Sequence, residues 1–466
     1  MESTDHIYHD AAIESYKFLY PLVLMDITRK VHCNRVPMNK IAHRREIIPP
    51  SFRTVVKPNF DTLYSGAWLD VSTEPMIVST PNTQGRYYVL AFHDMYSEVF
   101  ASPGKRSSGT EEGNFAVVSQ EWKGTLPDNL IPIVAPTNYV WLIARFQYNG
   151  PEDTSTVHSL QDSLLLQSLS EWCGELSEVT SEVRKDETVD VSIPPLHQVN
   201  ALAPHDFFRY AMELVHMHPP HLTDWATVRR MQSLLGLVSS ASVPRLPIKH
   251  ETVATALQSG AEAANDQMQQ PGLGVAGSTT NGWMIYTHSL GTFGNNYNLR
   301  AKVAMKGLGA LPPEESVYPT AVRDSDGCLL DGARRYQLHF DAPYPHPSAT
   351  TECSSSQSNE GGLPPHEAFW SITLYDSEGF PVPNDEGRNA IRDTDPRLHY
   401  APDGSLDIFI QSTPPEIETH RSNWLPCPPT GNMELTMRIY APKRAVLSGE
   451  WAPPPIRVRN ADVDTL

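Results

Sequence analysis

Proline is the feature that most limits how this chain can fold. It occurs 41 times in 466 residues, against 27 glycines, where a usual share of about 5% would give roughly 23. Proline breaks helix interiors and cannot donate to a sheet ladder. Many short elements joined by rigid loops are therefore expected, with few long helices. The hydrophobic share of 40% supplies ample core, and at about 100–200 residues per domain the length predicts two to four domains.

Lys plus Arg number 36 and Asp plus Glu 54, a net charge of −18. Such a chain repels nucleic acid and anionic membranes, so neither is expected as a partner; assembly into a homo-oligomer is left open. The five cysteines, Cys33, Cys173, Cys328, Cys353 and Cys427, are odd in number and widely spaced, without a CxxC. That pattern gives no disulfide framework and no structural zinc site. The first ten residues carry neither the basic nor the apolar region of a signal peptide. The apolar stretch from Phe18 to Met25 is too short to span a bilayer. A cytoplasmic protein without membrane insertion is the expectation.

Periodicity divides the chain. Ala12, Tyr16, Leu19, Val23, Ile27 and Val31 recur at helical spacing over residues 8–32, with a kink expected at Pro21. Residues 86–92 and 139–146 are short aromatic and β-branched runs, apolar on both faces, which predicts inner strands. Three helical stripes follow, over 160–172, 207–215 and 225–238. Period-two alternation returns at Tyr336, Leu338 and Phe340, at Leu406, Ile408 and Ile410, and at Met433, Leu435, Met437 and Ile439. One face of those strands is expected to be buried and the other wet or lining a cavity. Strands are expected over 334–341, 369–376, 405–411 and 433–440, all in one sandwich. The stretch 344–366, rich in Pro, Ser and Gly, reads as a mobile loop. The fold class is α+β and β-rich: an N-terminal β-sandwich or barrel-like domain (1–155), a helical connection (156–270), and a C-terminal antiparallel β-sandwich (271–466).

Most catalytic motifs fail on their mechanics. Gly272-Leu-Gly-Val-Ala-Gly277 has the spacing of a dinucleotide loop but neither a strand before it nor a helix after it. There is no phosphate-binding loop and no GxSxG elbow. Ser102-Pro-Gly-Lys105 cannot form the helical turn that an SxxK motif needs, and His250-Glu251 and His366-Glu367 lack the second histidine of HExxH. His216, His218 and His221 sit before Pro219-Pro220 and read as a solvated helix end. His339 and Asp341 share a strand face and, with His399, resemble in spacing the two-histidine, one-carboxylate iron site.

At Lys57-Pro-Asn-Phe-Asp-Thr-Leu-Tyr64 the chain resembles a known two-domain family. Its members carry the domain of unknown function 1254 at the N-terminus and 1214 at the C-terminus. The likeness continues at Gly85-Arg-Tyr-Tyr88, Phe100-Ala-Ser102, Trp122-Lys-Gly124, Pro136-Thr-Asn138, Trp141 to Arg145 and Asn149-Gly-Pro151. It resumes at Asn281-Gly-Trp283, Phe369 to Asp376, Asp403 to Ile408 and Ser422 to Pro426. The resemblance implies two β-rich domains with a helical segment and little about chemistry. His93, the run Tyr96-Ser97-Glu98, Asp341, His399 and the 344–366 segment depart from the family pattern. An unexported member with such local changes looks like one recruited to specialised metabolism, such as a fungal terpenoid or polyketide pathway.

Asn59, Asp61 and Tyr64 offer an amide, a carboxylate and a phenol in one turn-like segment, which reads equally as an Asx turn bonding its own backbone. Arg145 ends an apolar strand and needs an acid such as Asp61 or Asp94, a structural ion pair being favoured over a substrate contact. His93 and Tyr96 follow the strand 86–92 and reach toward the same mouth. His93 is the acid–base candidate, because an imidazole changes charge near neutral pH. Tyr64, His93, Asp61 and Arg145 are thus the catalytic candidates. Asn59, Tyr96, Trp141, Trp283 and Trp370 are the substrate-binding ones, although core packing is the favoured role for the tryptophans. With nucleotide, nucleophile and metal motifs set aside, shape and hydrogen bonds in an apolar pocket remain. That suits a cofactor-independent cyclase or isomerase, for instance a Diels–Alder cyclase, acting on a hydrophobic small molecule. The alternatives are a non-catalytic carrier of such a molecule and a non-haem iron enzyme using His339, Asp341 and His399. The cysteine spacing carries a prediction of its own: thiol titration under denaturing conditions should find all five cysteines free, and three or fewer would refute the reducing compartment.

Overall fold

The computed structural model describes residues 2–49, 57–175, 183, 185–239, 251–273, 277–342 and 362–459. The aromatic and β-branched runs form strands. Thr62–Asp70, Tyr139–Gln147 and Tyr88–His93 lie side by side, with Tyr139–Gln147 in the middle, in an antiparallel five-stranded sheet. Ala42–His43 and Val99–Ala101 are its edges. Val140, Leu142, Ala144 and Phe146 turn to one face. There they pack against Val78, Phe115 and Val117 of a second sheet, built of Ile131–Ala135, Gly113–Ser119, Met76–Thr80 and Leu165–Ser168. The pair is an open sandwich, not a barrel, and Ile131–Ala135 joins in parallel.

The stripe over 160–172 is a correction. Its helix stops at Asp162, Leu165–Ser168 pairs along Met76–Ser79, and Ser168 caps a short helix with Glu171. The otherwise unpaired edge of Met76–Thr80 supplied hydrogen bonds that helical spacing does not reveal. The stripe over 225–238 is buried only in part. Met231 and Leu235 are covered, while Trp225 is 67% exposed.

Glu2–Cys33 is one helix of 32 residues, and Pro21 lies inside it without ending it. It packs with Pro204–Met217, Glu251–Gln269 and Tyr297–Gly307 around Tyr16, Leu19, Val23, Phe207, Leu214 and Leu257. Gly260 permits the closest approach. A Cβ there would lie 2.5 Å from that of Ala12.

The C-terminal strands fall where alternation places them, at Tyr336–Phe340, His366–Asp376, Leu406–Gln411 and Met433–Pro442. They divide between two sheets that enclose Leu338, Trp370, Ile372, Ile408, Leu435 and Met437. One neighbour, Trp424–Pro426, pairs in parallel with Phe409–Gln411. Residues 344–361 of the expected loop lie outside the described residues, and from His366 the chain is strand.

The second face of the five-stranded sheet explains why its strands are apolar on both sides. Trp68 and Trp141 stack at 5.5 Å and meet the helical layer. Tyr87, Val89 and Ala91 meet Phe369 and Tyr440 of the C-terminal sheet. Asp61 fastens this second contact. It is fully buried and accepts from Ser371 Oγ (2.5 Å), Arg392 Nε (3.1 Å) and Tyr440 OH (3.2 Å).

The helical layer has its own clasp. His221 Nε2 lies 2.5 Å from the buried Asp94, and its Nδ1 lies 3.5 Å from the buried Asp224. Arg300 and Glu98 pair alongside at 3.2 Å. The histidine group before Pro219-Pro220 is therefore a solvated helix end only at His216, which is exposed: His218 is buried and His221 is half-buried and paired. Among the described residues, Cys33, Cys173, Cys328 and Cys427 are free thiols, and no helix is long and apolar enough to cross a membrane. Cys353 lies outside the described residues.

Two stability predictions follow from these clasps. Asp61→Asn keeps the shape but leaves Arg392 uncompensated, and should cost about 3–5 kcal/mol in urea denaturation; a loss below about 1 kcal/mol would show that the network does not hold the domains. For His221, burial alone would lower the pKa, but the hydrogen bonds it donates to Asp224 and Asp94, and their charges, raise it to about 10. A raised histidine stabilises fully below its unfolded value near 6.5, and the contribution is lost as pH rises through about 10. His221→Gln should therefore cost about 2–4 kcal/mol at pH 7, and the gap to wild type should close by pH 10.5. A gap that widened with pH would reverse the assignment.

Candidate functional site

Where the helical layer and the C-terminal sheet part from each other over the five-stranded sheet, they leave a cavity of about 790 Å³. Three sources supply its walls. Period-two alternation sends Trp141, Ile143 and Arg145 into it, opposite the core residues Leu142 and Ala144, and Tyr64 joins them from the neighbouring strand. Val303, Leu308 and Gly309 come from the end of the helix Tyr297–Gly307 and the loop beyond it, with Leu273 and Leu290 nearby. Tyr318, Thr320, Thr436 and Arg438 come from the outer face of the C-terminal sheet. The surface is mostly apolar, and polar side chains reach it from several sides, among them Asn59, Tyr64, Arg145 and Arg438.

Those polar groups are tied together. Asn59 Oδ1 accepts from the Asp61 amide at 2.6 Å, the Asx turn foreseen for this segment. Its amide also donates to the hydroxyls of Tyr64 (3.2 Å) and Tyr440 (3.1 Å). The Tyr64 oxygen therefore accepts from Asn59, and the phenol proton remains to be donated. Tyr64 and Arg145 are register partners across the sheet, and the guanidinium lies 5.2 Å from the phenol ring centre. Arg145 Nη2 donates to the Gly309 carbonyl at 2.7 Å. Gly309 has φ +87°, and a Cβ there would approach Ile143 Cδ1 to 2.8 Å, so glycine fits on both counts. Arg438 is buried and donates to Thr373 Oγ1, Tyr375 OH and the Lys57 carbonyl.

The cavity thus gathers Asn59, Tyr64, Trp141 and Arg145. His93 lies behind it, fully buried, its ring 5.7 Å from that of Trp141. Burial first and the Arg145 charge second push its pKa down to about 4, so the ring is neutral at pH 7 and packs beside Trp141. Asp61 is engaged in the interdomain network. Tyr96 is in the helical core, donating to the His218 carbonyl at 2.9 Å. Trp283 and Trp370 are in the C-terminal core, Trp283 donating to the Pro454 carbonyl and Trp370 packing on Phe340. His339 is exposed, with Nδ1 2.7 Å from Asp407 and Nε2 3.4 Å from Asp341, and the His399 backbone amide donates to Asn423. Among the described residues, no three His, Cys, Asp or Glu side chains are arranged to hold a metal ion.

Sequence reasoning missed Tyr318, Thr436 and Arg438. Arg438 had a signal: it sits between Met437 and Ile439 on the polar face of an alternating strand, as the one cation beside Glu434, Thr436 and Tyr440.

Comparison with known proteins bears on the fold. The model of a protein of unknown function, DUF1254, matches residues 38–168, and that of another, DUF1214, matches 315–350 and 357–444. No curated protein matches. The crystal structure of the VPA0106 protein from Vibrio parahaemolyticus is similar over 97% of this chain and all of its own, with a TM-score of 0.70 and 21% identity. An uncharacterised Burkholderia cenocepacia protein is similar at a TM-score of 0.40 and 11% identity, over 98% of this chain and 94% of its own. With the two domain matches in this order, the chain belongs to the two-domain family that joins an N-terminal DUF1254 domain to a C-terminal DUF1214 domain.

Proposed function

We propose that the protein is a cyclase or isomerase for a hydrophobic specialised metabolite of terpenoid or polyketide type, bound in the three-walled cavity. The observation that carries this reading is the convergence of a few tethered donors on one part of a large apolar space. Apolar walls of Trp141, Ile143, Leu290, Val303 and Leu308 favour a folded conformer of a flexible chain, bringing its ends into reacting distance. Arg145 fixes the orientation of the bound molecule. Tyr64, whose oxygen already accepts from Asn59, donates its proton to a substrate oxygen where charge develops. Asn59 is held in turn by its turn and by Tyr440, so the donor is preorganised before substrate enters.

Cyclisation and isomerisation leave the mass unchanged, which sets this reading apart from its rivals. A carrier returns its ligand unaltered, and an iron oxygenase using His339, Asp341 and His399 changes the mass of the product. Linear polyene substrates incubated with the protein should yield an isomer of equal mass, separable by chromatography. Tyr64→Phe should slow its formation about 10²–10³-fold, the usual effect of removing one such donor, with unchanged circular dichroism. His93→Ala should slow it less and without a pH step near 6.5, since the ring is already neutral at pH 7. Full activity of Tyr64→Phe on the true substrate would move the site elsewhere.

A further inference from the structure

The cavity places a buried cation where the described residues offer no anion for it. Arg145 is 7% exposed, its Nε has no hydrogen-bond partner, and its one bond is to the neutral Gly309 carbonyl. A guanidinium stays charged in proteins, and a cation taken out of water is costly unless paired. One carbonyl and one face-on phenol return only part of that cost.

The nearby acids are engaged elsewhere. Asp61 is held by Arg392, Ser371 and Tyr440. Glu315 is buried with Arg106 and Ser102, and Glu434 pairs with Lys57 at 2.5 Å. The phenols around Arg145 do not substitute. Burial holds Tyr87 and Tyr440 well above the ordinary tyrosine pKa, with Glu315 and Asp61 adding to the effect, so both are neutral near pH 7. Of the charged residues lining the cavity, Lys57 is neutralised by Glu434 and Glu46 is exposed at the mouth, which leaves Arg44, Arg145, Lys306 and Arg438. This positive concentration stands in a chain of net charge −18.

We propose that the natural ligand is an anionic amphiphile, an apolar body ending in a carboxylate that seats on Arg145. The inference rests on the cavity being the ligand site, as the proposed function holds. Arg145 lines the cavity, and its planar guanidinium presents N–H donors whose geometry matches a carboxylate. Trp141, Ile143, Leu290, Val303 and Leu308 cover the apolar body. A volume of about 790 Å³ lies within the usual range of about 300–1,000 Å³ for small-molecule sites.

The test uses decanoate and methyl decanoate, both below their aggregation limits, with binding followed through tryptophan fluorescence and calorimetry at pH 7.5. Wild type should bind the acid about 10- to 100-fold more tightly than the ester, the usual gain from hydrogen bonds to a charged group. Arg145→Gln should bind the two alike. Arg145→Lys should keep part of the preference, because it retains the charge and loses the fork. Should the Arg145 variants fail to fold, wild-type affinity measured through the acid's own titration decides the matter, and it should fall as the carboxyl is protonated below about pH 5. Equal binding of acid and ester by wild type, or an acid preference that survives Arg145→Gln, overturns the proposal. Acid preference without turnover of any acid supports this inference and counts against the cyclase reading, so the two fail separately.

Discussion

A single buried carboxylate holds the arrangement together. Asp61 is out of water on every side, and it is tolerable there only because Ser371, Arg392 and Tyr440 donate to it. Each of those donors belongs to the C-terminal half of the chain. The segment 57–61 is consequently tied to a sheet more than three hundred residues away in sequence. Arg438 donates to the Lys57 carbonyl and Tyr375 OH to that of Pro58, extending the same seam. A buried ionic network of this kind contributes modestly to net stability but penalises any other docking, since a shifted interface would strand charges without partners.

The cavity is a by-product of that docking. One face of the five-stranded sheet is divided between two partners of different chemistry. Helices cover its Trp68–Trp141 side, and the polar face of the C-terminal sheet covers its Tyr87–Ala91 side. Ser371, Thr373, Tyr375, Thr436 and Arg438 look like a wet face in sequence, yet all are buried against the first domain. A helical layer and a polar sheet cannot close over the same strands without a gap. The gap opens over Ile143 and Arg145, roofed by the turn at Gly309.

This places chemistry beside structure without mixing them. Asn59 belongs to both, since its carbonyl forms the turn that presents Asp61 and its amide holds Tyr64 and Tyr440. The VPA0106 protein shares the fold at 21% identity, so the scaffold tolerates wide substitution. What a relative of such low identity cannot convey is the lining of the cavity, which depends on individual side chains.

By itself the sequence determined the kind of each element that signals locally. The apolar runs at 86–92 and 139–146 read as inner strands because both faces were apolar, and the C-terminal strands read from strict alternation; the strands stand at Tyr88–His93, Tyr139–Gln147 and Met433–Pro442. The segment 57–64 stood out through its Asx chemistry, and Asn59, Tyr64, Trp141 and Arg145 do meet in one cavity. Tertiary structure alone decided the rest. Leu165–Ser168 became a strand because an edge needed hydrogen bonds. Tyr96, Trp283 and Trp370 went to cores because neighbours distant in sequence covered them. His93 lost its ordinary titration because burial and Arg145 act through space. The physical reason is the same in each case: backbone periodicity is a property of near neighbours, whereas burial and charge pairing depend on which distant residues arrive at the same place.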